Sequence, residues 1–223
     1  MTVAENLAAI QERIVAACDR SNRNPDEITI IAVTKYVTIE RTNEALEAGI
    51  DNLGENRTEG FFNKYEAIGN HAKWHFIGTL QSRKVKDIIH EVTAIHSLDR
   101  KSIAKEIEKR ADDVVDCFVQ VNVSGEASKH GLQPEETADF IEQLEAYPKV
   151  RIVGLMTMAP HVDDEDELRR VFRQLRALRD DVKRRKLPHA PCEGLSMGMS
   201  NDFEIAIEEG ATHIRIGTQL VGA

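Results

Sequence analysis

The sequence predicts a single (β/α)8 TIM barrel over residues 1–223, with an extra helix before the first strand. Three observations carry this expectation. Short apolar runs alternate eight times with segments of helical period, the pattern of a parallel sheet wrapped by helices. The first of these runs is apolar almost throughout, as a strand covered on both faces must be. The 223 residues fall a little short of the roughly 250 typical of the class. The alternative is a doubly wound open sheet, but no strand-to-helix turn carries G-x-G-x-x-G.

Leu7, Ile10, Ile14 and Cys18 recur at spacings of three and four, which gives an amphipathic helix over 3–20. After Asn24-Pro25-Asp26, the β-branched run 28–34 is the first strand. The alternation continues with a helix at 39–48, a strand at 51–54, a helix at 56–67, a strand at 74–77 and a helix at 82–89. A strand at 94–97, a helix at 100–111, a strand at 115–122 and a helix at 134–146 follow. Then come a strand at 150–156, a long helix at 164–186, a strand at 193–197 and a helix at 202–208. The last strand, 212–216, runs into Gly217. No internal repeat, low-complexity tract or Pro/Gly/Ser linker marks a domain boundary.

Composition excludes several classes. Lys+Arg 29 against Asp+Glu 38 leaves a net charge of -9, a field that repels nucleic-acid backbones and anionic membranes. A small anionic ligand needs a local site instead. Cys18, Cys117 and Cys192 are odd in number and far apart, which suits neither a disulfide framework nor a zinc site. The expected compartment is the reducing cytoplasm. Glu5, Glu12 and Asp19 interrupt the N-terminal apolar residues, unlike a secretory signal, and no run is long enough to span a bilayer.

In a barrel the reacting groups sit at the C-terminal ends of strands. The first strand ends in Lys35, which shares parity with Ile31 and Val33, so it points up the axis if those two fill the interior. A buried amine loses its charge readily and attacks carbonyls, which is Schiff-base chemistry. The other reading of Lys35 is a side chain that snorkels to the rim or pairs with a carboxylate such as Glu55.

Gly198-Met199-Ser200-Asn201 and Arg215-Ile216-Gly217-Thr218 close strands seven and eight, whose loops are neighbours in a closed barrel and often hold phosphate. Ser200 and Asn201 read equally well as N-caps of the helix from Asp202, with Glu204 completing a capping box from Asn201. Gly217 also reads as a plain turn residue. Arg215 opposes Ile214 and Ile216 in parity and so faces the interior, where it needs a carboxylate, a phosphate or a ring nitrogen as acceptor. Asn56, closing the second strand, is either a neutral donor beside Lys35 or another N-cap.

Other features read as structural. Trp74 belongs to core or rim packing, and the eight histidines show no metal-ligand spacing, so no metal is expected. Lys183-Arg184-Arg185-Lys186 complements a helix C-terminus. The polar loop 124–131 either reaches over the barrel mouth or is simply solvated.

These residues fall in motifs that run the length of the chain: Ala32-Val33-Thr34-Lys35, Gly54-Glu55-Asn56, Trp74-His75-Phe76-Ile77-Gly78 with Leu80-Gln81, and Val121-Asn122 with Glu126 and Lys129. Gly154-Leu155-Met156-Thr157, Leu195-Ser196-Met197-Gly198-Met199-Ser200 and Arg215-Ile216-Gly217 complete them. In these motifs the sequence resembles the pyridoxal phosphate homeostasis protein family, relatives of the alanine racemase N-terminal barrel domain. The resemblance implies an alanine racemase N-terminal-domain-like barrel that holds pyridoxal 5′-phosphate (PLP), a form of vitamin B6, as an aldimine on Lys35. It further implies that Ser200, Gly217 and Thr218 hold the phosphate, that Arg215 approaches the pyridine nitrogen, and that Asn56 lines the pocket. Tyr36-Val37-Thr38 and Arg57-Thr58 depart from the family's commoner residues at the pocket rim.

An arginine beside the ring nitrogen keeps it unprotonated, which makes the ring a poorer electron sink, but alanine racemase shares this arrangement, so the arginine by itself does not separate enzyme from carrier. A two-base racemase also pairs its lysine with a tyrosine from a second, β-rich domain, and the sequence to Ala223 supplies no such domain. Among Tyr36, Tyr65 and Tyr147, Tyr36 has the wrong strand parity to share a pocket with Lys35. The expectation is therefore a monomeric, non-enzymatic carrier for intracellular PLP homeostasis, with no catalytic residue, that releases PLP to PLP-dependent apo-enzymes. The alternatives are a weak amino-acid racemase and a Schiff-base aldolase acting on a sugar phosphate.

Overall fold

In the computed structural model, which describes residues 1–126 and 129–222, eight parallel strands close into a barrel in sequence order. They are β1 (Thr29–Val33), β2 (Asn52–Glu55), β3 (Lys73–Phe76), β4 (Ala94–Leu98), β5 (Val115–Gln120), β6 (Val150–Met156), β7 (Gly194–Met199) and β8 (His213–Ile216). Closure rests on β1, which pairs with β2 through Ala32 and Leu53 and with β8 through Ile31 and Arg215. That register sets Ile31 and Arg215 on one side of the sheet and Ala32 and Leu53 on the other.

The helices α2 (Ile39–Glu47), α3 (Thr58–Ile68), α4 (Val85–Ile88), α5 (Lys101–Arg110), α6 (Pro134–Gln143), α7 (Glu165–Arg184) and α8 (Phe203–Glu208) link successive strands. The expected N-terminal helix is present as α1 (Val3–Ser21), capped by a Thr2/Glu5 capping box and ended by Asn22 in the left-handed region. Its buried stripe of Leu7, Ile10, Ile14 and Cys18 packs beside α8, and Arg13 and Arg20 pair with Glu204 and Glu208 at 2.8 and 2.6 Å.

Two α-helices differ from expectation. The segment expected as a helix over 82–89 is a 3-10 turn (Ser82–Lys84) that continues into the single turn of α4. A further short helix, α9 (Thr218–Val221), follows β8. Four residues are too few to show a helical period, and α9 forms because Leu220 and Val221 are buried.

The main core lies between the sheet and the helices. The barrel interior is different. It holds a small apolar cluster of Ala94, Phe118 and Met156 together with the buried polar side chains of His75, His96, Ser196 and Arg215. Barrel interiors are usually filled by Val, Ile and Leu, so these polar groups need partners of their own. Among the described residues no helix is long and apolar enough to cross a membrane, and no cluster of His, Cys, Asp and Glu could hold a metal ion.

Candidate functional site at the barrel mouth

Strand β1 delivers Lys35 to the mouth, but not in the expected way. The strand ends at Val33, and Thr34 is anchored twice: its N–H donates to the Gly54 carbonyl at 3.1 Å and its hydroxyl to Glu55 Oε1 at 2.6 Å. The chain then turns through Tyr36, whose φ of +72° lies in the left-handed region that non-glycine residues rarely adopt. Lys35 stands on that turn and is exposed. The expectation of a buried lysine on the strand is thus corrected, because strand alternation stops before the residue is reached.

Glu55 is also not its partner. The Glu55 carboxylate accepts Lys64 Nζ at 2.7 Å, in an ion pair that is almost wholly buried. Strand parity does not extend to Tyr36 for the same reason: its ring lies 5.5 Å from Lys35 Nζ and shares a side cavity with it, although Tyr36 does not line the mouth cavity.

Lys35 also lines a separate cavity of about 460 Å³ at the mouth, together with Asn56, Ser200, Arg215, Gly217 and Thr218. The structure therefore brings together the six residues that the resemblance implies as cofactor-binding. Val33 lines it too, which bears out the inward parity of β1.

Arg215 faces inward as expected and is 5% exposed. Its acceptors are not those anticipated. Nη1–H donates to Ser196 Oγ at 2.7 Å and Nη2–H to the Thr157 carbonyl at 2.9 Å. Burial lowers its pKa to about 10, opposed by the charge of Asp202.

The capping readings of Ser200, Asn201 and Asn56 are overturned. Asp202, not Asn201, is the N-cap of α8, and its carboxylate turns back to accept the Met199 N–H at 2.5 Å. Glu204 is engaged by Arg13 and so completes no capping box. Burial raises the Asp202 pKa, while the Met199 N–H and Arg215 act to lower it. Gly198, at φ +95°, makes this turn feasible: a Cβ there would lie 2.6 Å from Ala206 Cβ.

Likewise α3 is capped by Arg57 without a side-chain bond, leaving Asn56 to the cavity. The Asn56 backbone runs so close to Gly78 that a Cβ on Gly78 would sit 2.1 Å from the Asn56 carbonyl oxygen. Gly217 heads α9, and the nearest atom to a Cβ there would be 3.6 Å away, so nothing steric demands glycine.

Trp74 is fully buried and donates to the Gly69 carbonyl at 2.8 Å, a core role as expected. Lys183 and Arg185 form ion pairs with Glu193 and Glu142 at 3.4 and 2.6 Å. In the loop 124–131, Lys129 pairs with Glu126 and reaches the carbonyl of Met158, a mouth-lining residue, while Ala127 and Ser128 lie outside the described residues. Ser196, Thr157 and Asp202 were not picked out from the sequence as site residues. Only the parity of Ser196 along β7 could have suggested it.

The chain matches the family described as alanine racemase, N-terminal domain, over residues 6–223. It is 44% identical, over 100% of its own length and 98% of the relative's, to the pyridoxal phosphate homeostasis protein of Aquifex aeolicus strain VF5. The chain belongs to the pyridoxal phosphate homeostasis protein family. Among solved structures, this family member is similar to PipY of Synechococcus elongatus PCC7942 with PLP bound. The TM-score is 0.84 and the identity 30%, over 99% of this chain and 100% of that one. The alanine racemase of Clostridium difficile 630 shares the fold at a TM-score of 0.78 and 15% identity, over 98% of this chain and 56% of that one.

Proposed function

We propose that this protein binds PLP at the barrel mouth, covalently through Lys35, and serves as a carrier in intracellular PLP homeostasis. The observation that carries the reading is one cavity of about 460 Å³ lined by an exposed primary amine, a buried arginine and the hydroxyl-bearing Ser200 and Thr218. Its size falls in the range of roughly 300–1,000 Å³ usual for small-molecule sites. The donor set also fits the ligand's parts. Ser200, Gly217 and Thr218, from adjacent loops, offer two hydroxyls and backbone N–H groups to a phosphate. Asn56 would add a neutral amide, and Arg215 would face the pyridine nitrogen.

When bound, PLP would supply an electrophilic aldehyde carbon, and Lys35 is the residue whose primary amine would hold it. The protein's own contribution is to hold and orient. Arg215 keeps a positive charge where a protonated ring nitrogen would need a negative one, so it disfavours that protonation. The exposure of Lys35 leaves the linkage open to attack by another amine, which suits release to apo-enzymes more than sequestered turnover. We propose that the protein works as a monomer in the cytoplasm, with the barrel as its one PLP-binding unit.

One observation favours a second reading, a weak amino-acid racemase: Tyr36 lies beside Lys35. Tyr36 lines the side cavity, however, and does not line the mouth cavity where the cofactor would sit. A base acting from the opposite face of the ring is therefore not evident in Tyr36.

Borohydride reduction followed by peptide mass spectrometry tests the proposal. The pyridoxyl mass is expected on the peptide that contains Lys35 and is expected to vanish in Lys35→Ala. An adduct mainly on another lysine would overturn the assignment. Conversion of L-alanine to D-alanine at ordinary enzymatic rates would overturn the carrier reading, and absence of PLP binding would leave the aldolase alternative.

A further inference from the structure

The buried polar groups of the barrel interior form one connected chain. Arg215 Nη1 lies 2.7 Å from Ser196 Oγ, Ser196 Oγ 2.9 Å from His96 Nδ1, His96 Nε2 2.9 Å from His75 Nδ1, and His75 Nε2 2.9 Å from Asn52 Oδ1. Asn52 then donates from Nδ2 to Asp51 Oδ1 at 2.6 Å. The chain starts at the mouth cavity, which Arg215 lines, and ends at a second cavity lined by Asn52 and His75. It crosses from β8 through β7, β4 and β3 to β2.

The protons in this chain have only one arrangement that leaves every group satisfied. Arg215 can only donate, so Ser196 Oγ accepts from it, and the single Ser196 hydrogen goes to His96 Nδ1. His96 then carries its proton on Nε2 and donates to His75 Nδ1. His75 in turn donates from Nε2 to Asn52 Oδ1. The far end agrees independently: the Asn52 amide nitrogen is held by the Asp51 carboxylate, which leaves its oxygen facing His75 as an acceptor. The reverse direction would strand the Ser196 hydroxyl hydrogen and set a bare His75 nitrogen against the Asn52 carbonyl oxygen. Both outcomes would leave unsatisfied polar contacts in the interior.

We propose that Ser196, His96, His75 and Asn52 are positioning residues for Arg215, a unidirectional hydrogen-bond chain that holds its guanidinium in place as a cation. Each O–H or N–H in the chain points away from Arg215, so each group turns its lone pair toward the buried charge. No carboxylate is hydrogen-bonded to the Arg215 guanidinium among the described residues. The chain therefore stabilises the cation without neutralising it, and the charge of Asp202, which lines the same cavity, acts on Arg215 without a hydrogen bond. His96 is fixed further by stacking on Phe118, with ring centroids 4.3 Å apart. Burial lowers the pKa of His96 well below its ordinary value and that of His75 to about 3, in keeping with neutral rings of fixed tautomer.

The role of the chain toward the cofactor rests on the PLP reading above, whereas its proton arrangement does not. The first test uses ligand-free protein labelled with ¹⁵N-histidine and long-range ¹H–¹⁵N correlation at pH 7. Both His75 and His96 are expected as the Nε2–H tautomer, with Nδ1 in the shift range of a hydrogen-bonded acceptor. An Nδ1–H tautomer at either ring would overturn the chain.

The second test uses Ser196→Ala and Asn52→Leu, which cut the chain beside Arg215 and at its far end. Each variant is expected to move the His96 Nδ1 resonance and to lower PLP affinity about tenfold, with a changed pH dependence of the visible absorption band. The borohydride adduct is still expected on Lys35 at saturating PLP. Unchanged affinity and pH dependence in folded Ser196→Ala would overturn the positioning role. If the wild-type protein shows the expected tautomers and does not bind PLP, the chain stands as a support for Arg215 and the PLP reading alone fails.

Discussion

Replacing Glu55 with glutamine tests how the mouth is held. The Glu55 carboxylate is 1% exposed and serves two partners, Lys64 Nζ at 2.7 Å and the Thr34 hydroxyl at 2.6 Å, while the Lys64 side chain is itself only 7% exposed. Glu55→Gln keeps the shape and one acceptor oxygen but leaves the Lys64 ammonium buried without a counter-charge. Removing one partner of a buried ion pair costs about 3–5 kcal/mol. For a domain of this size each kcal/mol lowers Tm by roughly 2–4 °C, so Tm should fall by about 6–20 °C. Lys64→Met should cost a similar amount by leaving the carboxylate alone. The double variant Glu55→Gln/Lys64→Met removes both charges and should return to within about 1 kcal/mol of the wild type. Urea denaturation with a common m-value reads all three variants. The reasoning is refuted if either single variant costs under about 1 kcal/mol, or if the double variant costs as much as the two singles added. Thr34 precedes Lys35 directly, so the destabilised single variants should also loosen PLP attachment.

Gly78→Ala sets a Cβ against the Asn56 carbonyl oxygen, at 2.1 Å before relaxation, and should cost about 3 kcal/mol in chemical denaturation while weakening PLP binding through displacement of Asn56. Ser200→Ala and Thr218→Ala should each weaken PLP binding about tenfold in equilibrium dialysis, the loss of one hydrogen bond to a charged group. If both variants bind as the wild type does, the phosphate is held elsewhere. Stability should fall between pH 7 and 5.5. Burial holds His75 down to about 3 and His213 to about 4, and holds His96 lower than usual, so the unfolded chain takes up protons that the folded chain refuses. Stability from these groups is fully present above the unfolded value near 6.5 and is lost as pH falls toward the folded values, by up to about 1.4 kcal/mol per pH unit for each histidine. Asp99 and Asp202, both raised by burial, act in the opposite sense at lower pH. A flat urea-denaturation profile over this range would contradict the buried neutral histidines.

What the sequence determined by itself was the barrel and the set of residues at its mouth. Eight apolar runs at regular spacing leave few other folds, because each strand must be covered on both faces and each helix must return the chain to the same end of the sheet. Strand parity also placed Arg215 inside, since it operates wherever a residue lies within a regular strand. The tertiary structure decided how the residues just beyond the strand ends are turned and partnered. Lys35 and Tyr36 share a cavity because the strand stops at Val33, and Asp202 displaces Asn201 as the cap because its carboxylate finds the Met199 N–H. The interior chain lay furthest from view. One of its bonds joins His96 to Ser196, residues a hundred positions apart that closure of the barrel brings to 2.9 Å. Local periodicity records which face a side chain takes, whereas a hydrogen bond across the barrel depends on the register and shear of strands that only the closed sheet fixes.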